Sequence, residues 1–169
     1  VAIQEGKWLS YSRGVAYHPI IDIVKSNFDI KDSDGDVEIR EKLKRGLKIL
    51  GADEASTLPY LLEFLSVKDS GVDKISLSPE ARRERIIESL KQIFLKASQI
   101  RPLIFAVEDL HWIDKTSEGF LDYLIDWLTN ARILLILLYR PEYTHQWGSK
   151  SSYSKIGAGH LSRNSSAEL

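Results

Sequence analysis

Three charged residues stand where chemistry on a phosphate group can be done: Glu108, Asp109 and Arg140. Glu108 and Asp109 directly follow an unbroken apolar run, Leu103 to Val107. A short apolar run without polar alternation is the pattern of a strand buried on both faces, as in a parallel sheet. Carboxylates at the C-terminal end of such a strand stand where open α/β sheets bind ligands. Paired carboxylate oxygens there suit a hard cation such as Mg²⁺. A second apolar run, Ile133 to Leu138, leads into Tyr139-Arg140-Pro141. If both runs are parallel strands, Arg140 falls at the same sheet edge as the two acids. A cation beside two anions at a strand-end crevice is what phosphate chemistry needs.

The elements between these residues can position them. Asp114 is placed to cap a helix that starts at Lys115, and Phe120, Leu121, Leu124, Ile125 and Leu128 mark its buried face. Strand, short loop, helix and strand make a βαβ unit. This is the arrangement of a Walker B element, in which one acid holds Mg²⁺ and its neighbour positions the attacking water. The run alone also admits a plainer reading, a strand end followed by a helix cap.

Upstream, Gly6 to Tyr11 reads as an early strand, Ser12 to Gly14 as a turn, and His18-Pro19 as a helix start. Asp29 to Asp36 carries four aspartates but fails the calcium-loop spacing. It reads as a solvated loop with a helix cap at Asp34 or Asp36. Val37 to Leu50 is amphipathic and is stopped by Gly51. Leu58 to Leu65 reads as a short apolar helix entered through Pro59, and Val67 to Leu77 as a polar connector. Ser78-Pro79-Glu80 opens a long helix whose Ile86, Ile87, Leu90, Ile93, Phe94 and Ala97 should face the sheet. Its cluster Arg82 to Arg85 is read as a solvated face, with phosphate or partner binding as the alternative. From Glu142 to Gly159 the chain reads as loop, anchored by Trp147.

Composition narrows the classes. A length of 169 residues fits one domain, and 43% hydrophobic with 28% charged residues is ordinary for a globular protein. A net charge of −1 gives no electrostatic footprint for nucleic acid or an anionic membrane. The absence of cysteine excludes disulfides and thiolate metal sites. The four histidines, 18, 111, 145 and 160, are too dispersed to read as a zinc cluster. The sequence contains no methionine, and its last residues, Ser165 to Leu169, read as the first turn of a helix. The expectation is a piece of a longer protein.

Val107-Glu-Asp-Leu-His-Trp-Ile-Asp114 resembles the EDLHWAD signature of AAA-type ATPases in the signal-transduction (STAND) class of P-loop NTPases. Ser10 to Pro19, Leu77 to Arg83, and Leu138 to Tyr143 with Trp147 are similar to further family segments, in the same order. The resemblance implies an α/β fold, a P-loop NTPase-like three-layer αβα arrangement with a mainly parallel sheet, truncated at both ends. Residues 1–169 would form one partial ATPase domain, its Walker B half. The resemblance also implies ATP and Mg²⁺ as ligands and a cytoplasmic location. Glu108 and Asp109 match the acids that hold the metal and orient the water. They are assigned jointly, because the order Glu-Asp reverses the commoner one. Arg140 matches the sensor of the γ-phosphate. Trp112 is expected to pack the loop, His111 to bond locally, and Asp114 to cap. Implied partners are a covalently attached output domain (cyclase, kinase or transcriptional regulator) and TPR-like repeats, with nucleotide-dependent self-association. Direct contact with nucleic acid or membrane is not expected. One departure is large: the 169 residues contain no G-x-x-x-x-G-K-[ST], and the single Gly-Lys pair, Gly6-Lys7, lacks the rest of the loop. The chain alone is therefore expected to bind ATP weakly or not at all. The competing expectation is a non-catalytic docking or oligomerisation module with a degenerate site.

Overall fold

Three parallel strands form one sheet in the order β1-β2-β3: β1 is Ala2–Lys7, β2 Leu103–Glu108 and β3 Ile133–Leu137. The computed structural model describes residues 2–7, by their backbone, and residues 17–157. Ala2 pairs with Leu103 and Lys7 with Glu108, while Leu103 pairs with Ile133 and Val107 with Leu137. The fold is thus α/β with a parallel sheet. The expected early strand starts four residues sooner than Gly6, and its expected end, Trp8 to Tyr11, lies outside the described residues.

Five helices accompany the sheet among the described residues: α1 (His18–Asn27), α2 (Asp36–Leu50), α3 (Glu54–Phe64), α4 (Pro79–Ile100) and α5 (Lys115–Leu128). Their sequences explain most of their limits. Ser78 caps α4 through Ala81 N–H, with Pro79 at the first helical position. Gly51, at φ 62°, ends α2 in the left-handed conformation that costs glycine nothing.

Three local expectations are corrected. α3 begins at Glu54, not at Leu58, because Asp53 accepts from Ser56 N–H at 2.9 Å and caps it earlier. Pro59 therefore lies inside the helix, at the cost of one backbone hydrogen bond. The cap of α2 is Gly35, with no side-chain cap bond. Asp34 instead accepts from Lys31 N–H at 2.8 Å and pairs with Lys42 at 2.6 Å. The connector after α3 contains a short 3-10 turn, Val72–Lys74.

One apolar cluster joins the helices to the sheet. Ile20, Ile23 and Val24 of α1 meet Leu43, Leu47, Leu61, Leu62, Leu90, Phe94, Phe120 and Leu124 there. Phe94 of α4 stacks edge-on against Phe105 of β2 at 5.0 Å, so the predicted face of α4 does pack on the sheet. The two faces of the sheet are not equally covered. Leu103, Phe105 and Val107 are buried, whereas Leu134, Ile136 and Leu138 are 55%, 41% and 47% exposed. Topology explains this difference. Both crossovers step across the sheet in the same direction, and right-handed crossovers then place their helices on the same face.

Candidate functional site

The carboxyl edge of β2 is built by continuing its ladder with β3. Leu138 N–H donates to the Val107 carbonyl at 2.9 Å, and Leu110 N–H donates to the Leu138 carbonyl at 3.0 Å. Glu108 and Asp109 lie between these two bonds, so both are tied to the end of β3. Asp109 has φ 55°, a left-handed conformation uncommon for a residue with a side chain. It turns the chain out of the strand and into the 3-10 turn Leu110–Trp112, whose Trp112 N–H donates to the Asp109 carbonyl at 2.9 Å. Glu108 and Asp109 are half-buried, and both are in contact with other groups.

Asp114 fixes the start of α5. Its Oδ1 accepts from Thr116 N–H at 3.0 Å and Ser117 N–H at 2.9 Å, and its Oδ2 accepts from the Ser117 hydroxyl. The Ser117 oxygen in turn accepts from Tyr17 N–H at 2.8 Å. Asp114 is thus a helix cap, as the sequence indicates, and it also ties α5 to the entrance of α1. Tyr17, at φ 64°, rests edge-on against Phe120 of α5 at 6.0 Å.

His111 departs from its expected local bond. Both its ring nitrogens are buried, and among the described residues neither has a hydrogen-bond partner. The ring lies 5.1 Å from that of Trp112. Arg140 stands two residues beyond Leu138, at the same edge as the acids, and is exposed. Among the described residues no ion pair joins it to Glu108 or Asp109. The edge therefore holds two half-buried carboxylates and an exposed guanidinium not neutralised by them. Lys7, at the end of β1, occupies the position paired with Glu108. Sequence reading set Lys7 aside because it belongs to no phosphate loop; only the strand pairing brings it to this edge. Arg82 pairs with Glu63 at 3.1 Å and Asp73 at 3.3 Å, in keeping with a structural face.

The donor set can be tested for a metal. Two adjacent carboxylates suit Mg²⁺, which takes one or two protein oxygens and completes its octahedron with water and phosphate. Among the described residues no group of three or more His, Cys, Asp or Glu forms an all-protein cage.

Comparison with known proteins adds little to this chemistry. The chain is 33% identical over 69 residues to an uncharacterized protein of Rhizobium meliloti (strain 1021). That match covers 41% of this chain and 7% of the relative, so the chain spans a small part of a much longer protein. No protein-family model matches the chain. No solved structure matches it either. Among the described residues, no helix is long and apolar enough to cross a membrane.

The best-connected polar cluster lies beside Arg140 and was not singled out from sequence. His145 Nε2 is 2.9 Å from the Tyr139 hydroxyl and 3.2 Å from that of Tyr153, and the two hydroxyls are 2.7 Å apart. Trp147 N–H donates to His145 Nδ1 at 3.2 Å. Tyr143 donates to Glu118 at 3.1 Å, and the Trp147 indole donates to Asp122. Burial first, then the Glu118 carboxylate, pushes the Tyr143 hydroxyl well above the ordinary phenol range. The aromatic spacing Tyr139, Tyr143, His145, Trp147 was a signal that could have been read.

Proposed function

We propose that this chain is the carboxylate-bearing part of an ATP-hydrolysing signalling switch with a P-loop NTPase-like three-layer arrangement. The observation that carries the reading is the shared edge: β2 ends in Glu108 and Asp109 where β3 runs on to Arg140. Glu108 and Asp109 would act as a pair, holding Mg²⁺ and orienting the attacking water. Bound Mg²⁺ would supply charge neutralisation on the phosphates. Arg140, exposed and unpaired with the acids, is available to a γ-phosphate. The phosphate cradle comes from a P-loop elsewhere in the polypeptide, since these 169 residues contain none. In this reading nucleotide state changes the arrangement of an attached output domain, a cyclase, kinase or transcriptional regulator, in the cytoplasm. TPR-like repeats and nucleotide-dependent self-association belong to the same proposal.

A second reading is favoured by one observation, the exposed apolar row Leu134, Ile136 and Leu138. It is a docking or oligomerisation module whose acids are relics. Asp109→Asn separates the two. In the polypeptide that carries a P-loop together with this segment, the switch reading expects ATP hydrolysis to fall on the order of 100-fold or more. ATP binding is retained. Unchanged turnover, or a coding sequence with no P-loop, replaces the switch by the docking module. The 169-residue chain alone is expected to show no micromolar ATP affinity by calorimetry.

A further inference from the structure

The histidine cluster beside Arg140 carries an inference independent of nucleotide chemistry. We propose that His145 is a protonation-sensitive latch that locks the segment from Tyr143 to Tyr153 onto α5 and β3 only while its imidazole is neutral.

The hydrogen-bond donors dictate the neutral form. Trp147 N–H has only a lone pair to meet at Nδ1, so the ring proton sits on Nε2. Nε2–H then donates to the paired hydroxyls of Tyr139 and Tyr153. A second proton on Nδ1 would face the Trp147 N–H, donor against donor, across 3.2 Å. The imidazolium therefore cannot keep the bond that orients Trp147.

The surroundings oppose the charge as well. Tyr139, Tyr143 and Tyr153 stand around the ring, and the Lys155 charge acts on it. From α5 come Glu118 and Asp122, but their carboxylates are engaged by the Tyr143 hydroxyl and the Trp147 indole. Burial first, and the Lys155 charge second, hold His145 below the ordinary imidazole value. Stacking on the Trp147 ring at 4.9 Å is a contact that tolerates a cation. The sign follows from a depressed folded value. The latch contributes fully above the ordinary histidine value of about 6.5, and its contribution is lost as pH falls from there through the folded value.

What the latch holds is specific. Trp147 is 3% exposed and fills the space beside α5. Tyr153 and Ile156 line a cleft of about 550 Å³ together with Leu128, Ile133 and Leu135. Unlatching frees Trp147 and opens that cleft along β3.

The test is tryptophan fluorescence of the 169-residue chain as pH is lowered from about 7 to about 4.5, with acrylamide as quencher. The expected result is a red shift and increased quenching, absent in Trp147→Phe, which assigns the signal. In His145→Asn the amide oxygen takes the Nδ1 position without titrating, and the transition is expected to vanish. Far-UV circular dichroism should stay constant through it in the parent chain. Trp147 shielded throughout the range, or the same transition in His145→Asn, overturns the latch. Should His145→Asn not fold, histidine ring spectra of the parent chain decide. One Nε2–H tautomer titrating below the ordinary value, in step with a tryptophan indole N–H signal, supports the latch. All histidines at or above that value overturn it.

Discussion

At position 46 the side chain is a single hydrogen, and the reason is a neighbouring ring. Gly46 lies inside α2, where glycine costs about 1 kcal/mol relative to alanine. A Cβ there would fall within the ring of Phe28, which is itself buried. Gly46→Ala should therefore reverse the usual helix gain: overpacking costs about 1–3 kcal/mol. The expected outcome is a lowered midpoint in chemical denaturation, and a raised midpoint would show that Phe28 swings aside freely. Residues whose roles are local were legible in the sequence. Asp114 and Ser78 cap because their partners lie two or three positions away. Asp34 was misread as a candidate cap because Lys42, nearly two turns inside α2, competes for its carboxylate. His145 was passed over because Tyr139, Tyr153 and Lys155 meet it only once the loop has turned back.

Elements were legible where their pattern was long. The start and buried face of α4 and the whole of α5 could be read from apolar spacing plus a cap, and β2 and β3 from unbroken apolar runs. The start of α3 was missed because proline was taken as an entry signal, and Asp53 won instead. β3 raises a separate issue: among the described residues it ends the sheet, and its alternate side chains, Leu134 and Ile136, are exposed. An unpaired apolar edge is a template for pairing with another chain. Ile136→Lys is expected to lower self-association in sedimentation experiments without shifting the thermal midpoint appreciably. Equal association in both proteins would place the contact elsewhere. The carboxyl edge of β2 was legible as a candidate site through its two acids. The register that sets position 7 beside Glu108 was not, since pairing across the sheet is set by topology, not by neighbours in sequence.

On the scale of the whole molecule, the order β1-β2-β3 has a temporal consequence. β2 and β3 are joined through α5 alone, from Leu103 to its partner Ile133. β1 must find β2 across four helices, from Ala2 to its partner Leu103. Closing the longer segment costs about 1 kcal/mol more in chain entropy, and non-local parallel pairing is slow. The unit β2-α5-β3, which carries both acids and leads to Arg140, is therefore expected to assemble early, with β1 zipping on late. Pulse-labelled hydrogen exchange should show amides of Phe105 and Val107, which point to β3, protected before those of Gln4 and Gly6, which point to β2; simultaneous protection would refute this order. A protein assembled in that sequence possesses the floor of its candidate site before it possesses the wall beside it.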